Sequence, residues 1–255
     1  MTYTSLLTLS ILRDPFTSLN RPALLNFLAA SQNPYTGGFG TTPAPTSESD
    51  LRTIYCAFSI AHMLGPSAWS SIDTQKAVQV IRNAYAPDTG GFGVGRGGEA
   101  HGGMTYVALA SLHLSNHLSV LTEAERTQTI RFLLQTQSSV EEGGGGFSGR
   151  LNKPPDTCYC FWNLASLWIL LSPEPVCSIV DTEAVQRFLA SCQFRYGGLS
   201  KAPGENPDPY HTFLGLAGAA LCEDAGGWVL KPFDPVLNTS VETVKWVREY
   251  LTTDD

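Results

Sequence analysis

Charge is scarce in this chain: 15% of its 255 residues are charged, and 16 Lys and Arg face 23 Asp and Glu, for a net charge of −7. A negative balance gives no general attraction for nucleic acid or anionic lipid, so no nucleic-acid partner is expected and any cationic site must come from a few converging side chains. No apolar run approaches the roughly 18 to 20 residues that span a bilayer, and the start MTYTSLLTLSILRD lacks a basic region and a small-residue cleavage site. A soluble cytoplasmic protein without stable membrane insertion is expected. The six cysteines lie in apolar stretches or beside an acid and do not form a disulfide framework, so most are core thiols of a reducing compartment. The sequence also lacks a P-loop, a GxGxxG between strand and helix, and a Ser-His-Asp triad.

What it does contain is a repeat. GGFG at residues 37–40 recurs at 90–93, then as GGFS at 145–148 and GGLS at 197–200. A period of about 50 residues signals stacked supersecondary units. Before each glycine pair lies a helical pattern, over 22–32, 73–84, 122–137 and 181–193, three of them ending in Gln. After each pair comes a loop and a more apolar helix opened by an acid: Asp50, Glu99, Asp156 and Asp208. Alternation of amphipathic with almost wholly apolar helices implies an outer ring around a buried inner ring. The expected fold is all-α, an αα-barrel (α/α toroid) of helical hairpins forming a single domain over 1–255.

Compared by register, the second and third residues after each opening acid are Arg52-Thr53, His101-Gly102, Cys158-Tyr159 and Tyr210-His211. In a barrel these first turns meet at one rim. A lone Asp-x-Cys is most often a helix cap beside a small buried hydrophobe. His211 in the equivalent turn of the next repeat completes a set of one carboxylate, one thiolate and one imidazole, the protein ligands of a zinc with an open fourth position. Asp156, Cys158 and His211 are therefore the candidate ligands of one Zn²⁺ per chain. Arg150 and Lys153 precede them in GRLNKPPD, and His101 stands in the preceding repeat; with Tyr159 they can hold a diphosphate and neutralise a leaving group. Tyr55, Tyr106, Phe161 and Trp162 are core aromatics by default, or the lining of an isoprenoid channel. His62, His113 and His117 read as capping or surface residues without partners, and EEGGGG at 141–146 as a flexible loop.

GRLNKPPDTCYCFW and GGLSKAPGENPDPYHTFLGLAG resemble the beta subunits of protein prenyltransferases, and the resemblance runs from MTYTSLLTLSIL to DPVLNTS, over essentially the whole chain. It implies a zinc-dependent enzyme working as a heterodimer with an alpha subunit on the cysteine of CaaX-terminated, small GTPase-like proteins. It implies zinc on Asp156, Cys158 and His211, and a diphosphate pocket of His101, Arg150, Lys153 and Tyr159. It also implies a role for Arg52 at the peptide terminus, and a channel lined by Tyr55, Trp162 and Tyr210. Farnesyl-transferring and Rab-modifying members resemble each other in carrying Asp where this chain has Lys201, and that Asp is associated with magnesium. Lys201 and DPVLNTS resemble instead the type I branch, which uses geranylgeranyl diphosphate. The ammonium of Lys201 is then catalytic with Tyr159, and Mg²⁺ is not required.

Such subunits have a longer amino-terminal part, and Met1 falls within what resembles an inner helix. The barrel is accordingly expected to lack leading hairpins, including part of the wall that sets lipid length, and to leave apolar faces without neighbours. The alternatives are a farnesyl- or Rab geranylgeranyl-transferring subunit, or an inactive truncated binding subunit. A terpenoid cyclase shares the architecture but needs an acidic DxDD-like motif, which is missing here.

Overall fold

The computed structural model describes residues 1–44, 46–171, 173–222 and 227–252. Its helices are α1 (Thr2–Ile11), α2 (Arg21–Ala30), α3 (Leu51–Leu64), α4 (Pro66–Ser70), α5 (Thr74–Asn83), α6 (Gly102–Leu114), α7 (Glu123–Gln135), α8 (Val140–Gly143), α9 (Thr157–Leu171), α10 (Pro173–Ile179), α11 (Thr182–Ser191), α12 (Pro209–Ala219) and α13 (Val241–Tyr250). A two-stranded hairpin, β1 (Phe233–Asp234) and β2 (Thr239–Ser240), precedes α13. The αα-toroid is observed: α1, α3, α6, α9 and α12 pack side by side in that order, and α13 packs on α1.

Burial separates the two helix classes. On α9 the sequence TCYCFWNLASLWILL carries no charge and most of its side chains are buried, whereas α5 buries only Ala77, Val78 and Ile81, one stripe of an amphipathic helix. The outer helices end earlier than the pattern suggests. Gln32 and Gln137 lie beyond α2 and α7, in bridges to Phe39 and Phe147. Their amides instead clamp the next outer helix: Gln32 Nε2 donates to the Asp73 carbonyl at 2.8 Å and its Oε1 accepts from the Asp73 N–H at 2.7 Å. Gln137 does the same to Asp181, at 2.9 and 3.3 Å.

In the first three pairs the first glycine has a packing reason as well as a conformational one, whereas Gly197 of the fourth has only the positive φ, 105°. Gly37, Gly90 and Gly145 have φ of 84°, 82° and 85°, and a Cβ there would lie 2.3–2.5 Å from Lys76, Gln128 or Ala184 of the following outer helix. Two readings need correction. Residues 141–143 of the glycine-rich run belong to the short helix α8, capped by Ser139, whose hydroxyl accepts from the Glu142 N–H. His117 also has partners, since its Nδ1 meets the Ser115 carbonyl at 2.6 Å and its Nε2 meets the Gln75 amide at 3.0 Å.

The six cysteines form no disulfide, and no helix among the described residues is long and apolar enough to cross a membrane. Near the start of the chain Leu9, Ile11 and Leu12 are exposed, and a mostly apolar groove opens between α1, α2 and α3.

Candidate functional site

The acids that open α9 and α12 act through their side chains. Asp156 Oδ1 accepts from the Cys158 N–H at 2.9 Å, and Asp208 Oδ1 accepts from the His211 N–H at 2.9 Å. These caps fix the first turns of α9 and α12. The two helices approach closely because α12 offers glycines to α9: a Cβ on Gly218 would sit 3.1 Å from the backbone of Cys160 and Phe161, and one on Gly215 2.7 Å from Thr157.

That approach brings Asp156, Cys158 and His211 together, with one ligand atom from each lying within 4.8 Å of the others. Asp156 and Cys158 are buried, and His211 is nearly so. His211 Nδ1 lies 2.5 Å from Asp208 Oδ2, so the ring donates there and turns Nε2 toward Asp156 Oδ1 at 3.3 Å. In the neutral imidazole a lone pair then faces a carboxylate oxygen, an arrangement that a cation between them relieves. Burial, followed by the charge of Asp156, pushes the Cys158 thiol pKa well up, and a bound cation reverses that electrostatic sign. The trio fits a zinc site in ligand types and in the orientation of its histidine.

Asp156 also lines a cavity of about 330 Å³ with Arg150, Lys153, Tyr159, Lys201 and Glu205. Lys201 reaches this rim because its loop is tied to α9: the Thr157 N–H donates to the Lys201 carbonyl at 2.9 Å and the Thr157 hydroxyl to the Ser200 carbonyl at 2.7 Å. Arg150 pairs with Glu99 at 3.1 Å on the exposed side. Glu205 was not among the residues picked out by motif.

His101 joins the cavity through Tyr159. It, not Glu99, caps α6, so the register comparison shifts here and His101 stands level with Asp50, Asp156 and Asp208. Its Nδ1 accepts from the Gly103 and Met104 N–H groups at 3.1 and 3.4 Å, which leaves the proton on Nε2, 2.9 Å from the Tyr159 oxygen. Burial first, and Arg150 second, lower the His101 pKa and keep the ring neutral. Tyr159 accepts from that Nε2–H, so its own proton is free for a ligand. Burial raises its pKa to about 12, so the phenol remains a donor. The ring lies against Gly149, where a Cβ would come within 2.2 Å of it.

Arg52 is not drawn into the cavity. Its guanidinium pairs with Asp50 at 2.5 Å and Glu48 at 3.5 Å at the start of α3, and it is exposed. Tyr55 is buried with its hydroxyl on the Val236 carbonyl. Trp162 packs against Tyr106 with ring centroids 4.8 Å apart, and Tyr210, more than half exposed, stacks edge-on against His211 at 5.1 Å. The resemblance pointed to these residues, but nothing in local sequence pointed to Asp208 as the partner of a ligand. Its three-residue offset from His211 is the only trace of that role.

An αα-toroid carrying Asp, Cys and His at the rim of adjacent inner helices belongs to a known class. The chain is a member of the family described as "Prenyltransferase alpha-alpha toroid domain", which matches residues 1–239. Among individual proteins it is similar to the geranylgeranyl transferase type-1 subunit beta of Arabidopsis thaliana, 41% identical over 194 residues, which cover 74% of this chain and 49% of the relative. The subunit of the same name from Dictyostelium discoideum is 36% identical over 221 residues, covering 86% and 58%. The structure resembles Candida albicans protein geranylgeranyltransferase-I complexed with GGPP, with a TM-score of 0.80 and 28% identity over 96% of this chain and 72% of that one. The chain thus spans roughly half the length of the two sequence relatives.

Proposed function

We propose that this chain serves as beta subunit of a type I protein geranylgeranyltransferase, joining a geranylgeranyl group to the cysteine of a CaaX-terminated protein in partnership with an alpha subunit. The observation that carries this reading is the position of Asp156, which belongs both to the Asp156/Cys158/His211 trio and to the lining of the cationic cavity. A thiol held at the trio and a diphosphate held by the cations would then be neighbours. The similarity to type-1 beta subunits supports the choice of donor and partner.

In this reading Asp156, Cys158 and His211 hold the metal, and zinc supplies Lewis acidity that lowers the pKa of an incoming thiol. The chain's own residues act on the leaving group. As sulfur forms its bond to the first carbon of the isoprenoid, the carbon–oxygen bond breaks, the thiol proton passes to solvent and diphosphate departs. Arg150, Lys153 and Lys201 bear the growing negative charge, and the Tyr159 hydroxyl donates to it with its orientation set by His101. Trp162, packed on Tyr106, and Tyr55, buried in α3, would supply apolar wall to an isoprenoid chain. Arg52 acts at the peptide terminus only by exchanging Asp50 and Glu48 for the substrate carboxylate. Tyr210, exposed beside His211, suits contact with the peptide.

The test is thioether formation by the chain assembled with an alpha subunit, supplied with zinc, geranylgeranyl diphosphate and a CaaX peptide, with and without a magnesium chelator that spares zinc. Full turnover without magnesium is expected, because Lys201 supplies the fixed charge. Lys201→Asp should make the reaction magnesium-dependent, since a carboxylate is a hard oxygen ligand suited to that ion. A wild-type rate that collapses without magnesium would favour a farnesyl- or Rab-directed enzyme. Donor binding with no thioether under either condition would favour a binding subunit.

A further inference from the structure

The two loops that bring cations to the cavity are built alike. Each follows a glycine motif whose fourth residue is serine, Ser148 in GGFS and Ser200 in GGLS, where the first two repeats have Gly40 and Gly93. The N–H of Ser148 donates to the Thr136 carbonyl and that of Ser200 to the Cys192 carbonyl, each at 2.9 Å, which ties the loop to the residue capping the preceding outer helix. Gly40 and Gly93 make the same bond, to Ser31 and Ala84 at 2.8 and 3.0 Å. What the serines add is a buried hydroxyl.

That hydroxyl lies 3.0 Å from the Arg150 carbonyl in one loop and 2.7 Å from the Ala202 carbonyl in the other. Its second contact, to the Thr136 or Cys192 carbonyl, is longer, 3.2 and 3.0 Å. A hydroxyl has one proton, and in both loops the nearer acceptor is two residues ahead. The two carbonyls before that acceptor are held as well. The Ser148 carbonyl accepts from Asn163 Nδ2 at 3.0 Å and the Ser200 carbonyl from the Thr157 hydroxyl at 2.7 Å, so both donors are side chains of α9. The Gly149 carbonyl accepts from the Gly102 N–H at 2.8 Å, and the Lys201 carbonyl from the Thr157 N–H at 2.9 Å. Gly102 and Thr157 are the first residues of α6 and α9, whose N–H groups have no acceptor within their own helices. Three successive carbonyls are thus fixed in each loop, at 148–150 and at 200–202. Arg150 and Lys201, which both line the cavity, lie within these triplets.

We propose that Ser148 and Ser200, with Asn163 and Thr157 on their carbonyls, are positioning residues that aim Arg150 and Lys201 at the diphosphate of the isoprenoid donor. The inference rests on the proposed prenyl-transfer reading. A long cationic side chain on a fixed backbone samples less space, so its charge stands where negative charge develops and needs little rearrangement there. The loops after Gly40 and Gly93 supply none of the cavity's cations, and there the fourth motif residue carries no hydroxyl.

The test uses the chain assembled with an alpha subunit and measures affinity for inorganic diphosphate and geranylgeranyl diphosphate, kcat/KM for thioether formation, peptide KM and zinc content. Ser148→Ala and Ser200→Ala should each weaken both diphosphates by about three- to tenfold, the contribution of one hydrogen bond, and lower kcat/KM by a similar factor. Peptide KM and zinc content should stay at the wild-type level, because the caps of α9 and α12 are left in place. The effect should also be specific to its loop. On an Arg150→Ala background, Ser148→Ala should change diphosphate affinity by less than about twofold while Ser200→Ala keeps its full effect, and on a Lys201→Ala background the pattern should reverse. Thr157→Val reaches the Ser200 carbonyl without altering a serine and should match Ser200→Ala, whereas Thr157→Ser, which keeps the hydroxyl, should bind diphosphate as wild type does. Equal losses on both backgrounds, a loss that spreads to peptide KM and zinc, or unchanged diphosphate affinity in the folded variants would each overturn the positioning role alone. Failure of the unaltered protein to bind either diphosphate would overturn the prenyl-transfer reading and the positioning role with it.

Discussion

Asp208 uses its two carboxylate oxygens for two tasks, capping α12 through Oδ1 and holding His211 Nδ1 through Oδ2. The hydrogen bonds from His211 keep its own pKa below the ordinary carboxylate range. Asp208→Asn retains an oxygen for the cap but removes the charge that fixes the imidazole tautomer. Zinc affinity should fall by about 10- to 100-fold, the usual cost of losing such a partner, while helical signal stays near wild type. Competition with a chromophoric chelator measures it, and unaltered affinity would mean that Asp208 is a cap and nothing more. At His101 the sign of the pH effect follows from its lowered pKa. The neutral ring is favoured in the folded state, so its contribution is fully present above the unfolded value near 6.5 and is lost as pH falls through the lower folded value. His101→Asn keeps a cap acceptor that does not titrate. The difference in thermal midpoint between wild type and variant should therefore shift against wild type as pH drops below 6.5. A constant difference from pH 8 to 5 would rule out this linkage.

At the scale of elements, the proposed metal site depends on how closely α12 approaches α9. Gly218 faces the backbone of Cys160 and Phe161, with no flexible side chain there to move aside. Gly218→Ala should push the helices apart and destabilise the protein by about 1–3 kcal/mol, the range for overpacking. Because Cys158 and His211 stand on the two helices, zinc occupancy should drop in the same variant although no ligand has changed. Elemental analysis beside a denaturation curve checks both, and full zinc at reduced stability would show that the first turns adjust independently of the helix contact. The outer helices depend on a different device, the Gln side chains that bridge successive repeats through backbone groups of Asp73 and Asp181. Their recurrence at helix ends was visible in the sequence, but the spatial partner was about 40 residues away and was not.

For the whole molecule, a metal bound by two adjacent inner helices is a cross-link between repeats that contact chiefly their neighbours. Removing zinc should lower the midpoint of thermal unfolding, because a ligand held at about 1,000 times its Kd contributes about 4 kcal/mol to the folded state. Calorimetry with and without a strong chelator measures this, and an identical midpoint would argue against a metal bridging α9 and α12.

The sequence by itself determined the helix classes, the repeat and the candidate ligand trio. Each rests on local chemistry repeated at fixed spacing: glycines where φ is positive, acids where helix N–H groups need acceptors, apolar runs where both faces are buried. Asp156, Cys158 and His211 were legible because two of them share a helical turn and the third occupies the equivalent turn of the next repeat. Only the tertiary structure decided that His101 rather than Glu99 caps α6, that Arg52 is taken up by Asp50 and Glu48, and that Asp208 orients His211. It alone also set the carbonyls of Ser148, Gly149, Ser200 and Lys201 on donors of α6 and α9. These outcomes turn on which donors and acceptors meet across the barrel, and helix approach sets those distances after the chain has folded.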